Sequence, residues 1–236
     1  MGTRGSNFRK RRTMANEMNI KHFTSRELLT NALTKLIVAS VERNVLEKNQ
    51  CTLLLSGGTS PKPIYEKLST KIACPENLLI GLVDERFVAV SSDYSNERMI
   101  RNALGSEFNI IGMIQDTTDS ERNLSLLRKS YEPFIRNTDI VLLGMGTDGH
   151  TASIFPGDES SEKIRRNNEI DVFNTTAPSH PRQRISCSTK MILLSKEIIL
   201  LITGAEKKDV LLNFGLNLPI HDILKNRPDT LIFYAD

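Results

Sequence analysis

Between Asp139 and Gly157 the chain reads D-I-V-L-L-G-M-G-T-D-G-H-T-A-S-I-F-P-G, an apolar run that passes into a glycine-rich turn ending on one histidine, His150. An apolar run without polar alternation describes a strand covered on both faces. The same succession of apolar run, polar turn and helical pattern recurs elsewhere. Apolar runs at Cys51–Leu55, Leu78–Val83, Ile110–Ile114, Ile140–Leu143 and Glu197–Thr203 predict strands, with further strands at Asp171–Asn174, Arg184–Ser188 and Leu231–Tyr234. Strands alternating with helices require crossover connections, so the fold expected is a three-layer α/β/α domain with a mainly parallel, Rossmann-like sheet.

The intervening segments supply the helices. Thr24-Ser25-Arg26-Glu27 reads as a capping box opening a helix to about Glu47, with Leu28, Leu29, Ala32, Leu33, Leu36, Ile37 and Val41 on one face. Pro61 suits the first turn of a helix through Tyr65 and Leu68. Further helices are expected over Ser95–Leu104, from a capping box at Thr118–Glu121 to about Arg136, and over Ala205–Phe214. The polar stretch Ser160–Asn168 is read as a surface excursion.

Charge divides the chain unevenly. Arg4, Arg9, Lys10, Arg11 and Arg12 lie within the first 13 residues with no acid among them, so of a net +3 the remainder carries −2. Residues 1–20 are therefore expected to form a flexible basic segment, and residues 21–236 a single α/β domain. A body without excess positive charge is not a nucleic-acid surface. R-K-R-R is too short a run to establish a nuclear signal. No apolar run approaches the ~20 residues needed to span a bilayer, and no secretory signal follows the basic head. The three scattered cysteines, Cys51, Cys74 and Cys187, suit reduced thiols in the cytoplasm, with neither a disulfide framework nor a zinc site.

Four polar clusters begin where apolar strands end: Ser56-Gly57-Gly58-Thr59-Ser60, Asp84-Glu85-Arg86, Gly146-Thr147-Asp148-Gly149-His150 and Thr203-Gly204-Ala205-Glu206-Lys207. In a parallel sheet these ends share one edge, so the clusters should converge. The first has two glycines, three hydroxyls and a following helix N-terminus, the makings of an anion cradle. It lacks both the P-loop and the dinucleotide fingerprint. In the second cluster, Arg86 brings a forked cation suited to phosphate or carboxylate. His150 is the ring suited to proton transfer near neutral pH. His22, His180 and His221 are read as surface or structural.

These segments, L-S-G-G-T-S-P-K-P-I-Y-E-K-L, V-D-E-R-F-V, L-L-G-M-G-T-D-G-H-T-A-S-I-F-P-G and T-G-A-E-K in that order, resemble the 6-phosphogluconolactonase family over about Thr24 to Phe214. Thr59 and Ser60 exchange the family's usual order, and Ala177–Pro181 lacks its usual lysine. The resemblance implies hydrolysis of 6-phospho-D-glucono-1,5-lactone to 6-phosphogluconate, in the oxidative pentose phosphate pathway, with no metal or organic cofactor. It implies His150 as general base on water. The substrate's phosphate would sit on Ser56, Gly57, Gly58, Thr59 and Ser60 with Arg184 and Lys207. Gly149 would line the substrate, Arg86 would lie nearer the lactone, and Asp84 would meet sugar hydroxyls. Ser153 has no nucleophile-elbow context, so no covalent intermediate is expected.

The partner implied is a small sugar phosphate, with no nucleic acid or membrane, acting on a monomer or weak homodimer in the cytoplasm. A glucosamine-6-phosphate deaminase would carry I-A-F-N-E-P after D-G-H, where this chain has T-A-S-I-F-P. A sugar-phosphate sensor of a transcriptional regulator would need a DNA-binding module, for which the ~23 residues before the first helix are too few.

Overall fold

In the computed structural model, which describes residues 18–236, the apolar runs form the middle of a seven-stranded parallel sheet. The basic head from Arg4 to Arg12 lies outside the described residues. The elements are β1 (Asn19–Phe23), α1 (Arg26–Lys48), β2 (Cys51–Leu55), α2 (Lys62–Lys71), β3 (Leu78–Leu82), β4 (Asp84–Arg86), α3 (Asn96–Leu104), β5 (Asn109–Ile110), α4 (Ser120–Ser130), α5 (Glu132–Arg136) and β6 (Ile140–Gly144). There follow α6 (Glu159–Arg166), β7 (Val172–Thr176), β8 (Gln183–Cys187), α7 (Thr189–Leu193), β9 (Glu197–Thr203), α8 (Ala205–Leu212), α9 (Pro219–Asn226) and β10 (Leu231–Ala235). β1 begins at Asn19, inside the segment expected to be flexible, and pairs with β10.

The main sheet runs β1-β10-β9-β6-β2-β3-β5. From β2 the chain winds outward through β3 to β5, then returns to β6 on the other side of β2 and winds outward through β9 to β10. Crossovers between parallel strands are right-handed, so a reversal of winding direction puts helices on both faces. That makes the three layers and accounts for strands β2 and β3 being buried at every residue. The reversal falls between β2 and β6, and open α/β sheets bind ligands outside the carboxyl ends of the strands at such a switch point.

A second sheet, antiparallel and in the order β4-β8-β7, stands beside the first. The Asp84–Arg86 cluster is therefore itself a short strand, not simply a turn at a strand end. Several other differences have local causes. Ser25, not Thr24, caps α1 by accepting from Leu28 N at 3.2 Å. Leu28 lies 52% exposed, off the buried face of Leu29, Leu33, Ile37 and Val41. The helix expected from Thr118 to Arg136 starts on Asp119 as cap and breaks at Tyr131. Tyr131 is buried, its hydroxyl accepting from Leu82 N at 2.7 Å and donating to Leu82 O at 3.2 Å. The polar stretch near Ser160 is helix α6, capped by Asp158 and braced by ion pairs such as Glu159–Lys163.

The sheet edge away from the strand ends is fixed by a buried charge. Asp139, 1% exposed, precedes β6 and takes Lys48 Nζ at 2.7 Å, Lys196 Nζ at 3.0 Å and Thr52 N at 2.8 Å. Burial alone would raise its carboxyl, but the lysine and Thr52 hydrogen bonds hold it below the usual carboxylate range. Asp139→Ala orphans the Thr52 N–H and leaves two lysines unpaired. It should lower stability by about 2–4 kcal/mol in urea denaturation. The stabilisation requires the ionised carboxylate. It is present above the unfolded aspartate pKa and should fade as pH falls through the lower folded value.

Candidate active site

The turn after β2 is anchored from below. Ser56 N donates to Leu142 O at 3.1 Å, Ser56 Oγ accepts from Gly144 N at 3.3 Å, and Tyr65 Oη donates to Ser56 O at 2.7 Å. Among the described residues, the amides of Gly57, Gly58, Thr59 and Ser60 meet no protein acceptor. Gly58 has φ +101°, in the left-handed region. A Cβ on Gly57 would lie 1.9 Å from Asn96 Oδ1. Helix α2 opens directly behind this turn, so unengaged N–H groups and a helix N-terminus are presented together.

The turn after β6 closes on itself. Gly146 N donates to His150 O and Gly149 N to Gly146 O, each at 3.0 Å. Asp148 Oδ1 lies 2.6 Å from His150 Nδ1 and also accepts from His150 N at 3.2 Å. A carboxylate accepts only, so Nδ1 carries the ring proton and Nε2 is left as the basic atom. Burial alone would raise Asp148, but the hydrogen bond and charge of His150 hold its carboxyl below the usual range. Phe155 supports the ring, with centroids 4.7 Å apart. A Cβ on Gly146 would fall 2.3 Å from the ring and 2.5 Å from Asp148 Oδ1, so only glycine leaves room for the pair.

Three cations complete the site. Arg86 on β4 and Arg184 on β8 are directly paired across the antiparallel ladder. Like charges so placed repel unless an anion lies between them. Arg86 Nη1 donates to Tyr94 O at 2.6 Å, while its buried Nε has no partner. Arg184 Nε donates to Pro181 O at 2.7 Å, and its guanidinium lies 6.0 Å from the Phe155 ring centre. Burial first, then the Arg86 charge, lowers the Arg184 pKa; burial and then Arg26 lower that of Lys207. Among the described residues none of Arg86, Arg184 and Lys207 forms an ion pair with an acid.

All of these face one cleft of about 610 Å³, lined by Ser56 to Ser60, Asp84, Arg86, Asp148, His150, Arg184 and Lys207. Asp84 is 8% exposed and accepts from Ser153 Oγ at 2.5 Å. Gly149 is the one expected contact that does not line the cleft. With φ +77° it backs the turn, its carbonyl accepting from Ile220 N at 3.2 Å and its Cα facing Leu218. The residues that sequence reasoning passed over are Asp148 as partner of the ring, Asn96 beneath Gly57, and Ser153 on Asp84. The acid two residues before His150 was the one readable hint. Glu85 points away from the cleft, wholly buried, and burial pushes its carboxyl up to about 7 against the backbone donors that surround it.

The other histidines stand elsewhere. His221 is buried, with Nδ1 accepting from Leu218 N at 3.1 Å and Nε2 donating to Leu211 O at 3.1 Å. His22 lies 3.4 Å from Asp236, and His180 meets Tyr94 edge-on. Among the described residues, no three His, Cys, Asp or Glu side chains are grouped to hold a metal ion, and no helix is long and apolar enough to cross a membrane.

Comparison with known proteins identifies the family. Residues 24–230 match the family described as glucosamine-6-phosphate isomerases/6-phosphogluconolactonase. The chain is 32% identical over 216 residues to a 6-phosphogluconolactonase of Helicobacter pylori, covering 86% of this chain and 92% of that protein. It is 28% identical over 232 residues to one of Caulobacter vibrioides, covering 93% and 98%. In three dimensions it is similar to the crystal structure of a 6-phosphogluconolactonase from Shewanella baltica, with TM-score 0.85, 28% identity and coverage of 93% and 98%. A match of this extent, on a fold whose switch point carries the His150 turn and the cation cradle, places the chain in the glucosamine-6-phosphate isomerase/6-phosphogluconolactonase family.

Proposed function

We propose that this chain hydrolyses 6-phospho-D-glucono-1,5-lactone to 6-phospho-D-gluconate, the lactone-opening step of the oxidative pentose phosphate pathway. The observation that carries the reading is a base and an anion site in one cleft: His150, oriented by Asp148, shares its lining with an unpaired cationic cradle. His150 Nε2 removes a proton from water as the oxygen attacks the lactone carbonyl. The tetrahedral intermediate collapses with loss of the ring oxygen, to which the imidazolium returns the proton. One water is added, and no covalent enzyme intermediate forms.

The amides of Gly146, Gly149 and His150 are engaged within the protein. Arg86, whose buried Nε has no protein partner, is assigned to the developing oxyanion. The unengaged Gly57–Ser60 amides with Arg184 and Lys207 hold the phosphate, and Asp84 meets sugar hydroxyls. The chain is proposed to act as a monomer or weak homodimer. The work is assigned to the cytoplasm, on a small sugar phosphate and not on nucleic acid.

The test is a coupled assay with freshly prepared phosphorylated lactone beside glucosamine 6-phosphate. Turnover of the lactone alone is expected; turnover of the amino sugar alone would reject the reading. Gly146→Ala should push the His150 ring off its line and lower kcat by about 10²-fold. An unchanged kcat in that variant would show that the ring need not sit where it does.

A further inference from the structure

We infer that Glu85, which does not face the cleft, is the positioning residue that sets Arg86 and the Gly57 turn for the reaction proposed above, on which this inference rests. Its carboxylate accepts from four donors. Oε1 takes Arg86 N at 2.7 Å and Asn96 N at 2.8 Å; Oε2 takes Glu97 N at 2.7 Å and Ser95 Oγ at 3.1 Å. The group is wholly buried, so no water can replace a lost bond without rearrangement.

The consequence lies in what those donors carry. Arg86 is held at both ends: its backbone N on Glu85, and its guanidinium on the carbonyl of Tyr94 at 2.6 Å. Tyr94 immediately precedes Ser95, Asn96 and Glu97, the segment that the same carboxylate grips. One side chain therefore sets the distance between the root of Arg86 and the carbonyl that aims its tip. The result is a buried Arg86 Nε with no protein partner, the donor left over for a substrate oxygen.

A second line runs through Asn96. Its backbone N is on Glu85, its Nδ2 donates to Asp84 O at 3.0 Å, and its Oδ1 occupies the space beside Gly57. Loss of the Glu85 grip therefore moves Arg86, and moves the support of the Gly57 turn with it. Glu85 is wholly buried and does not line the cleft, so its contribution is transmitted through these neighbours.

The test is a double-mutant cycle of Glu85→Gln and Arg86→Ala, read as kcat/KM on the phosphorylated lactone. It is paired with the heteronuclear NOE of the Arg86 Nε–H in the ligand-free protein. Glu85→Gln keeps the shape but sets an NH2 against N–H donors. It should lower kcat/KM by about 10- to 100-fold in the wild-type background and by under about 2-fold when Arg86 is already alanine. The Arg86 Nε–H should lose its rigid NOE. Asp139→Ala, destabilised at the opposite sheet edge, should keep wild-type kcat/KM at temperatures where it is folded.

If Glu85→Gln does not fold, Ser95→Ala removes the Ser95 Oγ donor to Glu85 together with its cap on Arg98 N, leaves the three backbone donors in place, and should shift both readouts in the same direction by a smaller factor. A folded Glu85→Gln with a rigid Arg86 Nε–H, or with the same fold-loss in both backgrounds, would overturn the inference. Absence of lactone turnover in the wild type would instead remove the proposed function, while the NMR readout would still decide the role of Glu85.

Discussion

Replacing His150 with alanine is expected to lower kcat on the phosphorylated lactone by about 10²–10⁴-fold with the fold intact. The ring is a third exposed and rests on Phe155 and Asp148. Its loss opens space at the cleft wall and leaves no large cavity in the core. Asp148 is then released from a partner and rejoins the solvent. The activity that remains should come from binding alone, because the lactone is still oriented by its phosphate. Steady-state kinetics with circular dichroism decides the matter: a folded His150→Ala enzyme at wild-type rate would mean that another group takes the water proton.

Arg184→Ala should act on the other half of the site, raising KM for the phosphorylated lactone by about 10²-fold, equivalent to the ~2–3 kcal/mol of a charged hydrogen bond. The residue is 8% exposed and faces Arg86 across the ladder. Its repulsion with Arg86 is partly offset in the free protein by the nearby Asp84 and Glu85, and a bound anion relieves the remainder. Arg184→Lys should recover only part of the loss, since an ammonium lacks the planar fork. The wild-type KM should rise with ionic strength more steeply than that of Arg184→Ala. Equal salt dependence in the two proteins would take Arg184 out of the phosphate site.

Both predictions join residues far apart in the chain, and they differ in how much of each was readable beforehand. The Cys51–Leu55 and Glu197–Thr203 strands were legible to the residue because an unbroken apolar run is a local property. So were the two switch-point turns, whose glycines have few other uses at a strand end. Helix α6 was not legible. Ser161 and Ile164 are its only buried residues, too few to write an apolar stripe, and its i,i+4 charge pairs Glu159–Lys163 and Glu162–Arg166 read as a solvated excursion. The split at Tyr131 was hidden for a different reason: the hydroxyl that ends α4 is bound to Leu82, on a strand nearly fifty residues earlier.

The sequence by itself determined the alternation of strands and helices and the polar clusters at strand ends, among them the Ser56–Ser60 and Gly146–His150 turns, because runs, turns and residue chemistry are written locally; the phosphate roles of Arg184 and Lys207 came from the family resemblance, and the switch point between β2 and β6 from the strand order. Only the tertiary structure decided that Asp84–Arg86 is a strand, that Arg86 stands opposite Arg184, that Gly149 backs the turn, and that Glu85 rather than Asp84 holds the α3 N-terminus. Those facts depend on register between distant strands and on which donors each buried oxygen meets, and neither is specified until the chain has folded.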